Sequence, residues 1–378
     1  MSVPRNVVEG SEAVAEAVRQ CKPRVIAAYP ITPQTHIVET LAKMIADGKL
    51  DAEMIRVESE HSAMAACIGS EAVGLRSYTA TASQGLALMH EMLFIASGMR
   101  LPVVMTVANR ALSAPINIWN DQQDSIASRD SGWIQIYVEN AQEAYDTHIQ
   151  AFKIAEEVHN PVMICLDGFV VSHTYENVRF EEDSEIDRFL PEYKPMFSLN
   201  PKKPVTMGSL GTPEYFMYFR RQQQETLESS KSVIKRVNRE FAKTFKRKYG
   251  NGLVEGINLE GKTHAIITLG SLTGTIREIA EEEKIGIIRI KSFRPFPAEE
   301  LRELCQNLES LAVIEKDVSI GANGAVYDEV RSALYSLEER PKVSGFIAGL
   351  GGRDITLQNI RDIIKKVKSG FDGVEWVM

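Results

Sequence analysis

From the amino terminus to about residue 170, short apolar runs alternate with segments in which apolar positions recur every three or four residues. Val25–Tyr29, Met54–Val57, Ser77–Ala80, Val103–Ala108, Ile134–Val138 and Val162–Leu166 read as strands. Between the last two, Ala144, His148, Ala151, Ile154, Ala155 and Val158 mark one face of a helix over Ala141 to His159, and Asn160-Pro161 ends it. Strand runs without internal alternation, separated by amphipathic helices, predict a doubly wound parallel sheet with both faces covered.

A second αβ rhythm begins near His264, with strands expected at Ala265–Leu269, Gly286–Ile290, Leu311–Glu315 and Val343–Ala348 and a closing helix over Thr356–Lys368. The stretch between loses the alternation, is rich in proline, and then gives a long helical run from about Pro213 to Tyr249. The division expected is therefore 1–172 for a larger α/β domain, 173–262 for a linker and connecting helix, and 263–378 for a smaller parallel α/β domain. On the long helix Ile234, Val237, Phe241 and Phe245 form an apolar stripe, expected to pack on its own protein rather than on a partner. The basic residues Lys243–Lys248 lie at its carboxyl end, where cations offset the helix dipole.

Charge narrows the function. With 43 basic against 51 acidic side chains the net charge is −8, which speaks against a generally basic nucleic-acid binder. No run of about 18 uncharged apolar residues occurs, and Met1–Gly10 lacks a signal-peptide core, so a cytoplasmic protein outside the membrane is expected. The four cysteines, Cys21, Cys67, Cys165 and Cys305, are too scattered for a zinc or iron–sulfur motif and suit a reducing compartment. Neither Gly-x-Gly-x-x-Gly after a strand, His-Glu-x-x-His nor Gly-x-Ser-x-Gly is present, which removes the simplest nicotinamide, zinc-protease and hydrolase readings.

In open parallel sheets ligands bind beyond the carboxyl ends of the strands. Four loops there are unusual. In Tyr29-Pro30-Ile31-Thr32-Pro33-Gln34, Thr32 is placed to cap the next helix with Pro33 in its first turn, and the same geometry would present the Thr32 hydroxyl to a ligand. Ser59-Glu60-His61-Ser62 opens a small-residue helix; acidic side chains suit a first turn, and small residues allow close approach. Thr81-Ala82-Ser83-Gln84-Gly85 is either an ordinary turn or a polar lining. Asn109-Arg110-Ala111-Leu112 leads into some twenty residues of polar loop, including Asn120–Asp124, a length usually functional. Arg110 is either a surface ion-pair partner or a planar fork for a substrate carboxylate.

Taken together, these four segments resemble, in order and approximate spacing, the pyruvate:ferredoxin oxidoreductase family, specifically the alpha subunit of its multi-subunit form. Phe293-Arg294-Pro295-Phe296-Pro297, Glu315-Lys316, Gly321-Ala322-Asn323-Gly324 and Gly349-Leu350-Gly351-Gly352-Arg353-Asp354 carry the resemblance into the second domain. It implies an α/β fold: a thiamin-diphosphate-enzyme pyrimidine-binding-type doubly wound parallel sheet plus a smaller transketolase C-terminal-like domain. By this resemblance Glu60 matches the carboxylate that hydrogen-bonds the aminopyrimidine of thiamin diphosphate. Thr32 and Arg110 match substrate contacts, with Thr32 also facing the cofactor and Arg110 pairing the 2-oxoacid carboxylate.

No Gly-Asp-Gly element, which in such enzymes helps hold Mg²⁺ and the diphosphate, occurs in the chain. The resemblance therefore implies a shared cofactor site. A beta subunit supplies Mg²⁺, the diphosphate half and a [4Fe–4S] cluster, alongside gamma and delta subunits, and ferredoxin accepts the electrons. The activity implied is conversion of pyruvate and coenzyme A to acetyl-CoA and CO₂, reversible as pyruvate synthase. A branched-chain 2-oxoacid specificity and a non-catalytic, two-domain carboxylate-binding protein are the alternatives. The Asn120–Asp124 loop is expected to close over substrate.

Overall fold

The computed structural model describes residues 5–378. Its larger sheet has seven strands in the spatial order Ser292–Arg294, Ile134–Tyr137, Val162–Asp167, Val104–Asn109, Ser77–Thr81, Val25–Ala28, Glu53–Arg56. The six strands from the amino-terminal part run parallel, and each falls within one or two residues of its predicted run. From Val25–Ala28 the chain passes outward to Glu53–Arg56 and then crosses to Ser77–Thr81 on the other side. That reversal opens a crevice at the carboxyl ends of Val25–Ala28 and Ser77–Thr81.

The second sheet has six strands, in the order Val374–Trp376, Lys342–Ile347, Ser310–Glu315, His264–Thr268, Gly286–Ile290, Val254–Ile257. Two short strands ignore the expected boundaries. Val254–Ile257, assigned by sequence to the linker, pairs antiparallel with Gly286–Ile290, and Ser292–Arg294 crosses to pair antiparallel with Ile134–Tyr137 of the other sheet. A third departure is an antiparallel ribbon of Arg5–Glu9 with Tyr175–Arg179, both too short and too polar to stand out from the pattern.

The Ala141–Val158 helix is buried along most of its length, and His148, expected on its face, bonds the Thr106 hydroxyl at 2.6 Å, with burial lowering its pKa to about 4. The long helix runs Pro213–Phe245. Its Ile234, Val237, Phe241 and Phe245 stripe packs into the same core, with Phe189 edge-on to Phe241 at 5.4 Å. Beyond its end Arg247 turns back to the buried Asp146 and Glu181 at 2.6 and 2.5 Å, so the basic tail is partly an internal ion-pair element.

One apolar cluster runs through both sheets, joining Met105, Val107 and Tyr137 to Ala265, Ile288 and Phe293. Beside it the fully buried Glu143 accepts from Arg289 Nη1 and Nη2, at 2.5 and 3.0 Å, and from Lys291 Nζ. Burial alone would raise the Glu143 pKa; the two cations override it and hold the carboxyl down near 2. Lys291 shifts down as well, because burial outweighs its partner. Glu143 decides the balance, since Arg289 remains protonated at any working pH. Its depressed pKa contributes stability that is present above the ordinary carboxylate range and is lost as pH falls through the folded value. Glu143→Gln leaves the buried Lys291 without its anion and Arg289 with only Glu255 and Glu139, at 2.9 and 3.2 Å, and is expected to cost about 3–5 kcal/mol, read as a lowered denaturant midpoint; an unchanged midpoint would refute a joint that depends on this carboxylate.

Candidate active site

The Ser59 side chain, in extended backbone, caps the Glu60–Ala72 helix by accepting from the Ser62 amide at 3.3 Å. This sets Glu60 in the first turn, 6% exposed, at the carboxyl-end crevice. Its carboxylate has no hydrogen-bond partner among the described residues. Gly85, in the Ser83–Leu88 helix, closes over it: a Cβ at that position would lie 2.5 Å from both Glu60 Oε1 and Thr81 Oγ1. Beside it the buried Thr81 Oγ1 also lacks a partner, as do the buried Thr79 Oγ1 on the same strand and Gln34 Oε1 in the neighbouring loop. Buried polar atoms left unpaired cost free energy, so an unpaired hydroxyl beside an unpartnered carboxylate suits a polar ligand.

The first loop differs from expectation. The following helix starts at Thr35 with Gln34 as the preceding cap residue, so Thr32 caps nothing. Gln34 explains the shift: its buried side chain donates to Tyr29 O at 2.8 Å and Ala80 O at 3.0 Å, tying the loop to the neighbouring strand end. Thr32 is exposed, and its carbonyl accepts from Arg110 Nη1 at 3.0 Å. Arg110, 8% exposed, also donates Nε to Asn117 O at 3.0 Å. Thr32 and Arg110 are thus brought into direct contact. Two of the five guanidinium donors are engaged, which leaves both Nη2 hydrogens and one Nη1 hydrogen without a partner among the described residues.

Sequence reasoning missed Asp124 as the organising group. Its carboxylate accepts from the amides of Ser83 at 2.9 Å, Arg110 at 3.0 Å and Ser125 at 2.8 Å, and from Asn109 Nδ2 at 2.7 Å. Ser83 holds a left-handed φ of 46°, rare for a non-glycine residue, secured by this contact and by its hydroxyl to Ala111 O at 2.5 Å. Burial raises the Asp124 pKa to about 6, against the hydrogen bonds that lower it. The only sequence signal was the length of the loop.

The Asn120–Asp124 segment is not a cover. Asn120, Asp121, Gln122 and Asp124 are all buried. Gln122 Nε2 donates to Asp167 at 2.9 Å, and Lys316 of the second sheet donates to Asn120 Oδ1 and Asp167 Oδ2 at 3.1 and 3.0 Å. Asp121 accepts from Gly351 N at 3.1 Å. The exposed part of the loop is its tip, from Ser113 to Pro115 through Ile116 to Trp119. His61 is half-buried on the Glu60 helix and makes no hydrogen bond among the described residues. All four cysteines are buried and free, and burial pushes the Cys67 and Cys305 thiols up to about 12.

Two family models match the chain: pyruvate flavodoxin/ferredoxin oxidoreductase, thiamine diphosphate-binding, over residues 16–239, and pyruvate:ferredoxin oxidoreductase core domain II over residues 263–360. A pyruvate synthase subunit PorA of Methanocaldococcus jannaschii is 54% identical over 98% of this chain and 97% of its own. A ketoisovalerate oxidoreductase subunit VorA of Pyrococcus abyssi is 44% identical over 98% of this chain and 97% of its own. Among solved structures, 2-oxoglutarate:ferredoxin oxidoreductase from Magnetococcus marinus, with 2-oxoglutarate, coenzyme A and succinyl-CoA bound, superposes with a TM-score of 0.69 at 18% identity. The match covers 95% of this chain and 65% of that one, a likeness of fold.

Asp124→Asn replaces an acceptor-only group by one whose amide opposes N–H donors. The expected cost is about 1–3 kcal/mol, with faster protease cleavage between Leu112 and Trp119; cleavage at the parental rate would show that Asp124 does not hold this loop.

Proposed function

The chain belongs to the pyruvate flavodoxin/ferredoxin oxidoreductase family, and from that premise we propose that it is the alpha subunit of a pyruvate:ferredoxin oxidoreductase. The assembled enzyme converts pyruvate, coenzyme A and oxidised ferredoxin to acetyl-CoA, CO₂ and reduced ferredoxin, and in reverse acts as pyruvate synthase. The observation that carries this reading is the near full-length match to a pyruvate synthase subunit. Pyruvate is favoured over a branched-chain 2-oxoacid because identity is higher to that relative than to the ketoisovalerate one.

Support for thiamin diphosphate comes from the matched family model and from the crevice, where Glu60, Thr81 and Gln34 offer unpaired polar atoms and Gly85, lacking a side chain, lets the backbone approach the Glu60 carboxylate closely. When bound, the cofactor supplies a carbon nucleophile for the 2-oxo group and a sink for the electrons released with CO₂. Glu60 would hold the aminopyrimidine by a hydrogen bond and exchange a proton at its carboxylate. Arg110 binds the substrate carboxylate through its remaining guanidinium donors, and the exposed Thr32 hydroxyl contacts substrate and cofactor. Mg²⁺, the diphosphate-binding half and the [4Fe–4S] clusters belong to beta, gamma and delta partners, consistent with the absence of Gly-Asp-Gly. No described helix is long and apolar enough to cross a membrane, and we place the complex in the cytoplasm.

Glu60→Gln in the assembled complex is expected to lower pyruvate-dependent dye reduction by roughly 10²–10⁴-fold with the thermal midpoint retained; parental activity would refute the acid/base role. Arg110→Lys keeps the charge and loses the fork, so the KM for pyruvate should rise by about tenfold or more. An unchanged KM would count against carboxylate recognition.

A further inference from the structure

The tip of the Arg110 loop carries few contacts of its own. Ile116 is 82% and Trp119 55% exposed, yet Asn117 between them is partly buried and fully engaged. Its carbonyl accepts Arg110 Nε at 3.0 Å, its Oδ1 accepts the Trp119 amide at 2.7 Å, and its Nδ2 donates to Gly351 O at 3.0 Å. Gly351 belongs to the Gly349–Gly352 turn of the second sheet's domain, in which Gly349, Gly351 and Gly352 all have positive φ. Its amide donates to Asp121 Oδ2 at 3.1 Å, so both backbone groups of this one glycine are taken by the Arg110 loop. A Cβ on Gly351 would lie 2.5 Å from Asn117 Nδ2, and one on Gly352 would collide with Trp119. The two glycines form a cradle shaped to this tip.

We infer that Asn117 is a positioning residue for Arg110, through which the glycine turn of the second domain sets where the guanidinium points. The inference rests on Arg110 as the receptor for the 2-oxoacid carboxylate. A bidentate pair is sensitive to orientation, and Nε is the donor that fixes the plane of the fork. Removing the Asn117 side chain frees the tip from Gly351, so the carbonyl that holds Nε is no longer anchored. The loss is one of substrate binding rather than of chemistry, because Glu60 lies on a different helix.

The test is steady-state kinetics of the assembled complex carrying Asn117→Ala, Arg110→Lys or both, with pyruvate and coenzyme A varied separately. Asn117→Ala should raise the pyruvate KM about five- to tenfold, leave kcat within about twofold and leave the coenzyme A KM unchanged. In the Arg110→Lys background the same substitution should add less than about twofold, since the two act as one unit. Gly351→Ala should reproduce the KM effect and speed proteolysis between Leu112 and Trp119, which keeps the test independent of how well Asn117→Ala assembles. If Arg110→Lys raises the KM and Asn117→Ala does not, the positioning role is overturned while carboxylate recognition stands. Independent, multiplying effects in the double variant overturn it equally. An unchanged KM for Arg110→Lys removes the reading on which the inference depends, and the inference with it.

Discussion

The crevice depends on one buried carboxylate. Asp124 receives the amide hydrogens that begin the loops after two neighbouring strands, at Ser83 and Arg110, together with the Asn109 side chain. Parallel strands end in unpaired backbone donors, and burying them requires an acceptor from elsewhere. Asp124 meets that need from the far end of the same long loop. The contact secures the unfavourable backbone at Ser83, which carries Gly85 over Glu60, and it fixes where the Arg110 side chain starts. The Gly85 turn over Glu60 and the start of the Arg110 loop thus share one support.

The second sheet completes this arrangement from outside. An apolar cluster continuous through both sheets, the Glu143 ion cluster and the Ser292–Arg294 strand added to the larger sheet leave little freedom between the two parts. Against that fixed background, Lys316 reaches Asn120 and Asp167, and Gly351 holds the Arg110 loop at Asn117 and at Asp121. A long surface loop becomes a defined element because a separate domain supplies its missing partners. Beside this support, buried polar atoms such as Thr81 Oγ1 are left without partners, and the chain has no Gly-Asp-Gly element.

Much of the architecture was legible because burial on both faces leaves an uninterrupted apolar run, and a crossover helix leaves a 3.6-residue period. The ribbon strands Arg5–Glu9 and Tyr175–Arg179 escaped because five residues rich in polar side chains carry no period, and Ser292–Arg294 because three residues, two of them buried, are too few to show one. Glu60, Thr32 and Arg110 stood out through motif and position. Gln34 lay inside a quoted motif yet received no role, since only the spatial nearness of Tyr29 O and Ala80 O makes its amide a clamp. That clamp moves the helix start past Thr32 and undoes the capping expected there.

By itself, then, the sequence determined the parallel α/β class, the strands that build the crevice, the loops that border it and the absence of a Gly-Asp-Gly motif. These follow from local chemistry: hydrophobic period, helix-breaking dipeptides and residue types in a short span. Tertiary structure alone decided that Asn120–Asp124 is a buried latch rather than a lid, that Thr32 meets Arg110 through its carbonyl, and that Gly351 clasps Asn117. Each joins residues far apart in the chain, through single hydrogen bonds whose partners no period or motif encodes.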